Sequence, residues 1–597
     1  MTKEASPVHL PEQPPKRAPS RWPKIALALV LVLATVVTYS PQLRLHKWGR
    51  EDCHSGSGVL DPNAKVYDDQ WLNEHSKCPK QPPALHPKIK WDQTEEEQKE
   101  SLRKFSEAVQ IPTESYDDNG EPNEDPRWKP FFRFQKWLKE TFPLANEVAD
   151  VEYVNSLGIL ATFYGSDSSL KPLLLMSHYD VVPAPNSSAD QWTHPPFSGH
   201  NDGKFIWGRG AMDDKNLLVA QWDAVNHLLE TGWRPRRTLI LSHGFDEEEV
   251  VARRGQGHIA PLLEKRYGKD SILMVIDEGT EWTDDFYGTP FALPATGEKG
   301  YLDIKITVGT TGGHSSVPPE HTGIGIAAQI VNALEENPFP VKLTPSSPLL
   351  AGLHCASEYA KLPHKWSSLL KKEGAKSYPR LARSFAKESL ANKALVGTTM
   401  AIDVLQGGVK VNALPEIVTV LINFRIDFSE SVASTQHHVA DILAKVAKKF
   451  KLRLSAFDDK KPSELGQSYI KVENFGPALE PAPLTPTDNG VWELFAGTVK
   501  ATYPGPDGRE RIVAPWATTG NTDCKMYYNL TKNVYRYSGG REGSKFMVGR
   551  HGPCWTLGYT AHSQHTVDER ALIDAHFDIV AWIHAIVQNA DAYTGEE

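Results

Sequence analysis

"LLLMSHYDVVPAP", Leu173 to Pro185, begins as an unbroken aliphatic run and ends in a histidine and an aspartate two residues apart. A short, wholly apolar run bounded by turn formers reads as a strand buried on both faces. Its period of two puts His178 and Asp180 on the same side as the chain leaves the sheet. "LGILATFYG" from Leu157, "RTLILSHGFD" from Arg237 and "SILMVIDEG" from Ser271 repeat the pattern, and "NLLVAQWDAVNHLLETG" from Asn216 has helical apolar spacing and a Gly stop. Short apolar strands separated by helices predict an α/β fold: a mixed, largely parallel sheet with helices on both faces.

Near Gly300 the texture changes. "YLDIKITVGTTGG" and "VTVLINFRIDF" alternate like half-exposed strands, with helices at "GIGIAAQIVNALEEN" and "STQHHVADILAKVAKKF". These predict an inserted α+β lid or dimerisation domain over 301–484, including a Pro- and Lys-containing insertion at 341–395. The catalytic domain then comprises residues 95–300 and 485–597, opening with helices at "EEEQKESLRKFSEAVQIP" and "WKPFFRFQKWLKETFP". Residues 46–94 read as a stalk or surface arm.

The N-terminal segment suggests topology. A polar tail, 1–24, precedes "IALALVLVLATVVTY", Ile25 to Tyr39, which reaches a membrane-spanning length of about 20 residues when extended to residue 45. No A-x-A-like cleavage site follows, which favours an uncleaved signal anchor, a cytosolic tail and a lumenal catalytic part. The sequons at Asn186 and Asn529 suit a glycoprotein of the secretory lumen. Five cysteines show no CxxC spacing, and Cys53 with Cys78 are read either as a disulfide or as two free thiols. A formal net charge of -9 leaves no basic footprint for nucleic acid.

In a doubly wound sheet, ligands bind beyond the carboxyl ends of strands. Those ends offer His178 and Asp180, Asp213 in "GRGAMDDK", Glu247 and Glu248 in "GFDEEE", and Asp277 and Glu278 in "VIDEG"; "HTVDE" adds His565. Singly, each reads as a turn former or cap. Jointly they concentrate negative charge on one sheet edge, which a divalent cation compensates. Imidazole and carboxylate without thiolate suit zinc, with cobalt or manganese as substitutes. Their number suits two ions about 3.5–4 Å apart, sharing a carboxylate.

"SHYDVVPA", "GRGAMDDK", "GFDEE", "VIDEG", "TTGGHSS" and "HTVDE" occur in the order that characterises the co-catalytic zinc exopeptidases, a family that includes carboxypeptidase S, the aminoacylases and the glutamate carboxypeptidases. The chain resembles that family from about residue 95 onward. The anchor and long insertion are most similar to fungal carboxypeptidase S, a vacuolar Gly-Xaa carboxypeptidase; the secreted N-fatty-acyl amino acid hydrolases are similar over the same span. The resemblance implies His178 and Asp277 on the first zinc, Glu248 and His565 on the second, and Asp213 bridging both. Glu278 is the alternative to Asp277. It further implies that Asp180 orients His178, that Glu247 is the general base, and that His314 helps hold the substrate carbonyl. Arg425 and Asn412 look like positions around the substrate carboxylate.

One motif departs from the family pattern. "DEEEVVARRGQG" carries an extra acid, Glu249, with Val251 and Ala252 where relatives are glycine-rich. Counting from the strand makes Glu247 the base and Glu248 the ligand; counting back from Gly255 gives Glu248 and Glu249. The strand-side count is preferred because "LILSHGF" sets the register. The implied function is a dizinc carboxypeptidase acting on short Gly-Xaa peptides in vacuolar catabolism. The alternatives are an N-acyl-amino-acid hydrolase, with the 341–395 insertion lining the pocket, and a catalytically dead membrane-anchored homologue. A homodimer through the inserted domain is compatible with the family.

Overall fold

The computed structural model describes residues 69–249, 253–372, 374–541 and 565–595. The expected tail, membrane span and most of the arm, up to residue 68, lie outside the described residues. Among the described residues no helix is long and apolar enough to cross a membrane.

The quoted stretch forms the strand Leu173–His178, buried along its whole length, near the middle of a ten-stranded sheet. It pairs in parallel with Leu239–Gly244 on one side and Met274–Phe286 on the other. Val534–Arg541 extends the parallel block, while Gly158–Phe163 and Asp150–Val154 add antiparallel strands at one end. Alternation divides the apolar residues between two layers. Leu173, Leu175, Leu239 and Leu241 pack in one cluster with residues of the helices Lys215–Glu230 and Ile573–Ala592; Leu174, Met176 and Ile240 pack in another with Ile259 and Leu263 of Gln256–Tyr267. With both faces covered, the carboxyl ends of the strands are the open edge where polar groups collect.

A second sheet of five strands is ordered Thr399–Gly407, Ile417–Ile426, Gly300–Gly309, Tyr469–Asn474 and Arg453–Ala456. Here alternation has a different result. Leu302, Ile304, Ile306, Val420, Ile422 and Phe424 form one buried face with the helices Gly323–Glu335 and Val432–Phe450. The intervening residues Tyr301, Asp303, Asn423 and Arg425 form the other, polar face.

The helices within 341–395 join neither that sheet's core nor the metal edge. Leu349, Leu353, Trp366, Leu381 and Phe385 share a cluster with Phe286, Phe291 and Trp516 of the large sheet. That cluster explains a correction to the cysteine pairing. Cys78 is bonded to Cys355 on the helix Pro348–Tyr359, a partner 277 residues away, and not to Cys53. The described part of the arm runs over the catalytic core instead of standing off as a stalk. Gln81 exchanges hydrogen bonds with the Val513 backbone, Leu85 N–H donates to Gly497, and Ile89 exchanges bonds with Gln588.

Candidate metal centre

His178 lies at the end of its strand and is 1% exposed. Its Nδ1 is 3.0 Å from the Asp180 main-chain oxygen and 3.3 Å from Asp180 Oδ1, both acceptors, so Nδ1 keeps its proton and Nε2 is the nitrogen that a cation would take. Nε2 is 3.0 Å from Asp213 Oδ1 and 3.4 Å from Glu278 Oε1. Across the site, His565 Nε2 is 3.4 Å from Asp213 Oδ2 and 3.0 Å from Glu248 Oε1. Asp213 therefore presents one oxygen to each histidine. His178, Asp213 and Glu248 form one group whose ligand atoms lie within 4.8 Å of one another, and His178, Asp214 and Glu278 form a second.

Asp180 is completely buried and acts as a hub. Besides facing His178, its carboxylate accepts from Ser115 Oγ at 2.8 Å and from the backbone N–H groups of Glu247 at 3.2 Å and Glu248 at 3.1 Å. One side chain thus fixes the histidine and the start of the acidic loop together. Glu247 and Glu248 border the cavity, and Glu248 reaches His565. Glu249 also borders it, but its carboxylate accepts from Arg254 at 2.5 Å. Asp246 closes the loop by accepting from the N–H of Gly255 at 2.8 Å.

Three of the expected residues lie apart from this cluster in the single chain. Asp277 does not reach the cluster: its oxygens accept from the Glu278 N–H at 2.9 Å and from Cys524 Sγ at 3.4 Å, on the opposite face of its strand. Glu278 takes the place beside His178. His314 and Asn412 are exposed and do not border the cavity. His314 sits on a two-stranded ribbon paired with Ala413, its Nδ1 2.7 Å from Ser316 Oγ, so the ribbon's own pairing sets its position.

The electrostatics are those of a site short of positive charge. Burial and the neighbouring Asp213 push Glu248 up to about 7, and burial raises Glu247 well above the carboxylate range despite His178 and Lys525. Burial alone would depress His565, but Asp213 and Glu248 raise it to about 11. Among the described residues the histidines and Lys525 are set as counter-charges against a ring of carboxylates. A divalent cation fits this donor set: two imidazole nitrogens and three or four carboxylates, with Nδ1 of His178 already anchored by its hydrogen bonds.

The cluster opens into a cavity of about 540 Å³, a size suited to a small ligand. Its far wall is the polar face of the five-stranded sheet, with Tyr301, Asp303, Asn423 and Arg425, joined by Asp403 at a β-bulge. Arg425 Nη1 donates to Asn521 Oδ1 at 2.9 Å, and its guanidinium lies 4.9 Å from the Tyr301 ring. No residue of 341–395 lines the cavity among the described residues, contrary to the sequence expectation. Sequence reasoning also missed Asp214, Asn521, Lys525 and Ser115. Asp214 was signalled only by the doubled aspartate in its motif; the others carry no local signal.

The model for peptidase family M20/M25/M40 matches residues 174–589. The chain belongs to the M20 family. Carboxypeptidase S of Saccharomyces cerevisiae is 38% identical over 508 residues, covering 83% of this chain and 84% of that protein. The human N-fatty-acyl-amino acid synthase/hydrolase PM20D1 is 31% identical over 491 residues, covering 81% and 86%. Among solved structures, human carnosine dipeptidase 1 superposes with a TM-score of 0.54 at 15% identity over 83% of this chain and 97% of that one. The M20 metallo-carboxypeptidase Sso-CP2 of Sulfolobus solfataricus gives 0.53 at 17% identity over 83% and 99%. These two share the fold. The chain is an M20 metallopeptidase by family, and the structure brings together candidate metal-ligand residues.

Proposed function

We propose that this metallopeptidase is a carboxypeptidase that hydrolyses the last peptide bond of short peptides, with two zinc ions held by His178, Asp213, Glu248, Glu278 and His565. The observation that carries the reading is the Asp213 carboxylate, whose two oxygens face His178 and His565 on opposite sides. Two ions bound there would supply Lewis acidity to the peptide carbonyl and acidify the attacking water. Glu247, beside them, accepts the proton of that water and returns it to the leaving amine. Arg425, oriented by Asn521, pairs with the carboxylate of the peptide's C-terminal residue. Cobalt or manganese would serve in zinc's place.

Short peptides are favoured over N-fatty-acyl amino acids by the higher identity to carboxypeptidase S than to the N-fatty-acyl-amino acid synthase/hydrolase. Each buried methylene of an acyl chain contributes about 0.8 kcal/mol only against apolar surroundings. Among the described residues the lining mixes charged and polar side chains with an apolar stretch at Pro477, Ala478 and Leu479, a mixture that accommodates either substrate class. The N-acyl-amino-acid reading is supported by the similarity to the N-fatty-acyl-amino acid synthase/hydrolase. Parallel assays of Gly-Leu and N-oleoyl-leucine separate the two: faster cleavage of Gly-Leu is expected, and turnover of the acyl substrate alone would reverse the assignment.

The proposal extends to a type II membrane glycoprotein with its catalytic part in a vacuole-like lumen. The uncharged stretch Ile25–Tyr39, the exposed sequon at Asn186 and the Cys78–Cys355 disulfide support it. A homodimer through the inserted module is supported by Val409 and Val411, 100% and 98% exposed beside the edge strand Thr399–Gly407.

A further inference from the structure

Asp213 and His565 reach the same site from distant parts of the chain, and the structure shows what holds them there. Arg570–Leu572 pairs antiparallel with Phe205–Trp207, with Arg570 opposite Trp207. The Gly208 N–H continues that ladder to the Glu569 carbonyl at 2.9 Å. Asp568 ties the same segment down by accepting from the N–H and hydroxyl of Thr193, each at 2.7 Å.

The side chain of Glu569 then turns into the loop that delivers Asp213. It is completely buried, and Oε1 accepts from the N–H groups of Gly210 at 3.0 Å, Met212 at 3.0 Å and Asp213 at 3.3 Å. Oε2 accepts from the Arg209 guanidinium, itself 4% exposed and stacked over Trp192. Both oxygens of this acid are thus committed to the loop and its arginine, although it ends the "HTVDE" motif that carries a candidate ligand.

We infer that Glu569 is a positioning residue: its carboxylate gathers the 210–213 amides and thereby sets the spacing between Asp213 and His565 that the second metal ion requires. This rests on the dizinc reading above. A ligand oriented by a buried acceptor binds its metal about 10–100-fold more tightly than one without it. The amide clamp and the Arg209 ion pair are separable. In an Arg209→Met/Glu569→Gln double variant the glutamine Oε1 still accepts from the three amides while the buried charge pair is removed as a unit.

The test is a zinc titration of the full chain in chelator-buffered zinc, with bound metal counted by mass spectrometry and thermal unfolding followed on the metal-free protein. For Glu569→Ala the weaker-bound zinc is expected to lose about 10–100-fold in affinity. The double variant is expected to bind both ions nearly as the parent does. If Glu569→Ala does not fold, Glu569→Asp, one methylene too short to span the loop, is expected to show the same loss. Parent-like binding of two ions by the alanine or aspartate variant would overturn the inference, as would equal losses in those variants and in a folded double variant. A parent protein that binds fewer than two ions would instead sink the dizinc reading.

Discussion

Asp180→Asn isolates the hub of the site. The carboxylate has four neighbours: His178 Nδ1 at 3.3 Å and the Glu247 N–H at 3.2 Å on Oδ1, and Ser115 Oγ at 2.8 Å and the Glu248 N–H at 3.1 Å on Oδ2. An asparagine keeps one acceptor oxygen and turns an NH₂ toward the donors on the other side. Whichever way the amide lies, one backbone N–H of the catalytic loop faces a donor in a buried setting. A hydrogen bond to a charged acceptor contributes about 1.5–3 kcal/mol, and an unsatisfied buried donor costs about 1–3 kcal/mol. A combined effect of about 3 kcal/mol corresponds to a loss of roughly 100-fold. We expect it in zinc affinity, measured by chelator competition, and in kcat/KM for Gly-Leu, with the side chain's size preserved. Zinc affinity and kcat/KM both equal to those of the parent would refute the account of Asp180.

Glu247→Gln is expected to retain its zinc while kcat falls by about 10²–10⁴-fold; loss of zinc instead would make Glu247 a ligand and move the base to a neighbour. Cys355→Ser opens the bond to Cys78 and should lower stability to urea by about 2–5 kcal/mol, whereas an unchanged midpoint would mean that hydrogen bonds alone secure the arm. Burial depresses His243 to about 3, His576 to about 4 and His584 to about 3, so the folded protein keeps them neutral while the unfolded chain takes up protons below about 6.5. Their contribution to stability is therefore present above about pH 6.5 and lost as pH falls toward 4, each at up to about 1.4 kcal/mol per pH unit. Urea unfolding at stepped pH should show His576→Asn with a shallower acid-side slope than the parent; parallel slopes would contradict this.

What the sequence could reveal follows from which faces are distinguishable. His178 and Asp180 were legible because an apolar strand ends abruptly and period two pairs them. Glu247 and Glu248 were legible because the strand before them sets direction, and Arg254 explains how the extra Glu249 is accommodated. Asp277 and Glu278 could not be separated in the same way. Their strand is buried on both faces, so hydrophobic pattern carries no mark of which side meets His178. The cysteine pairing failed because nearness in sequence says nothing about an arm folded back onto a helix 277 residues away. His314 was identified by a local motif, but where its ribbon lies is a tertiary matter. The 341–395 helices look like part of the inserted module by position, and only their packing against Phe286, Phe291 and Trp516 shows that they lie against strands of the large sheet.

The central claim is that one carboxylate, Asp213, is shared between two metal positions. Crystals of the zinc-loaded protein measured at the zinc absorption edge test it directly. The account predicts two anomalous peaks, one among His178, Asp213 and Glu278 and one among Asp213, Glu248 and His565. A single peak, or peaks away from Asp213, would contradict it.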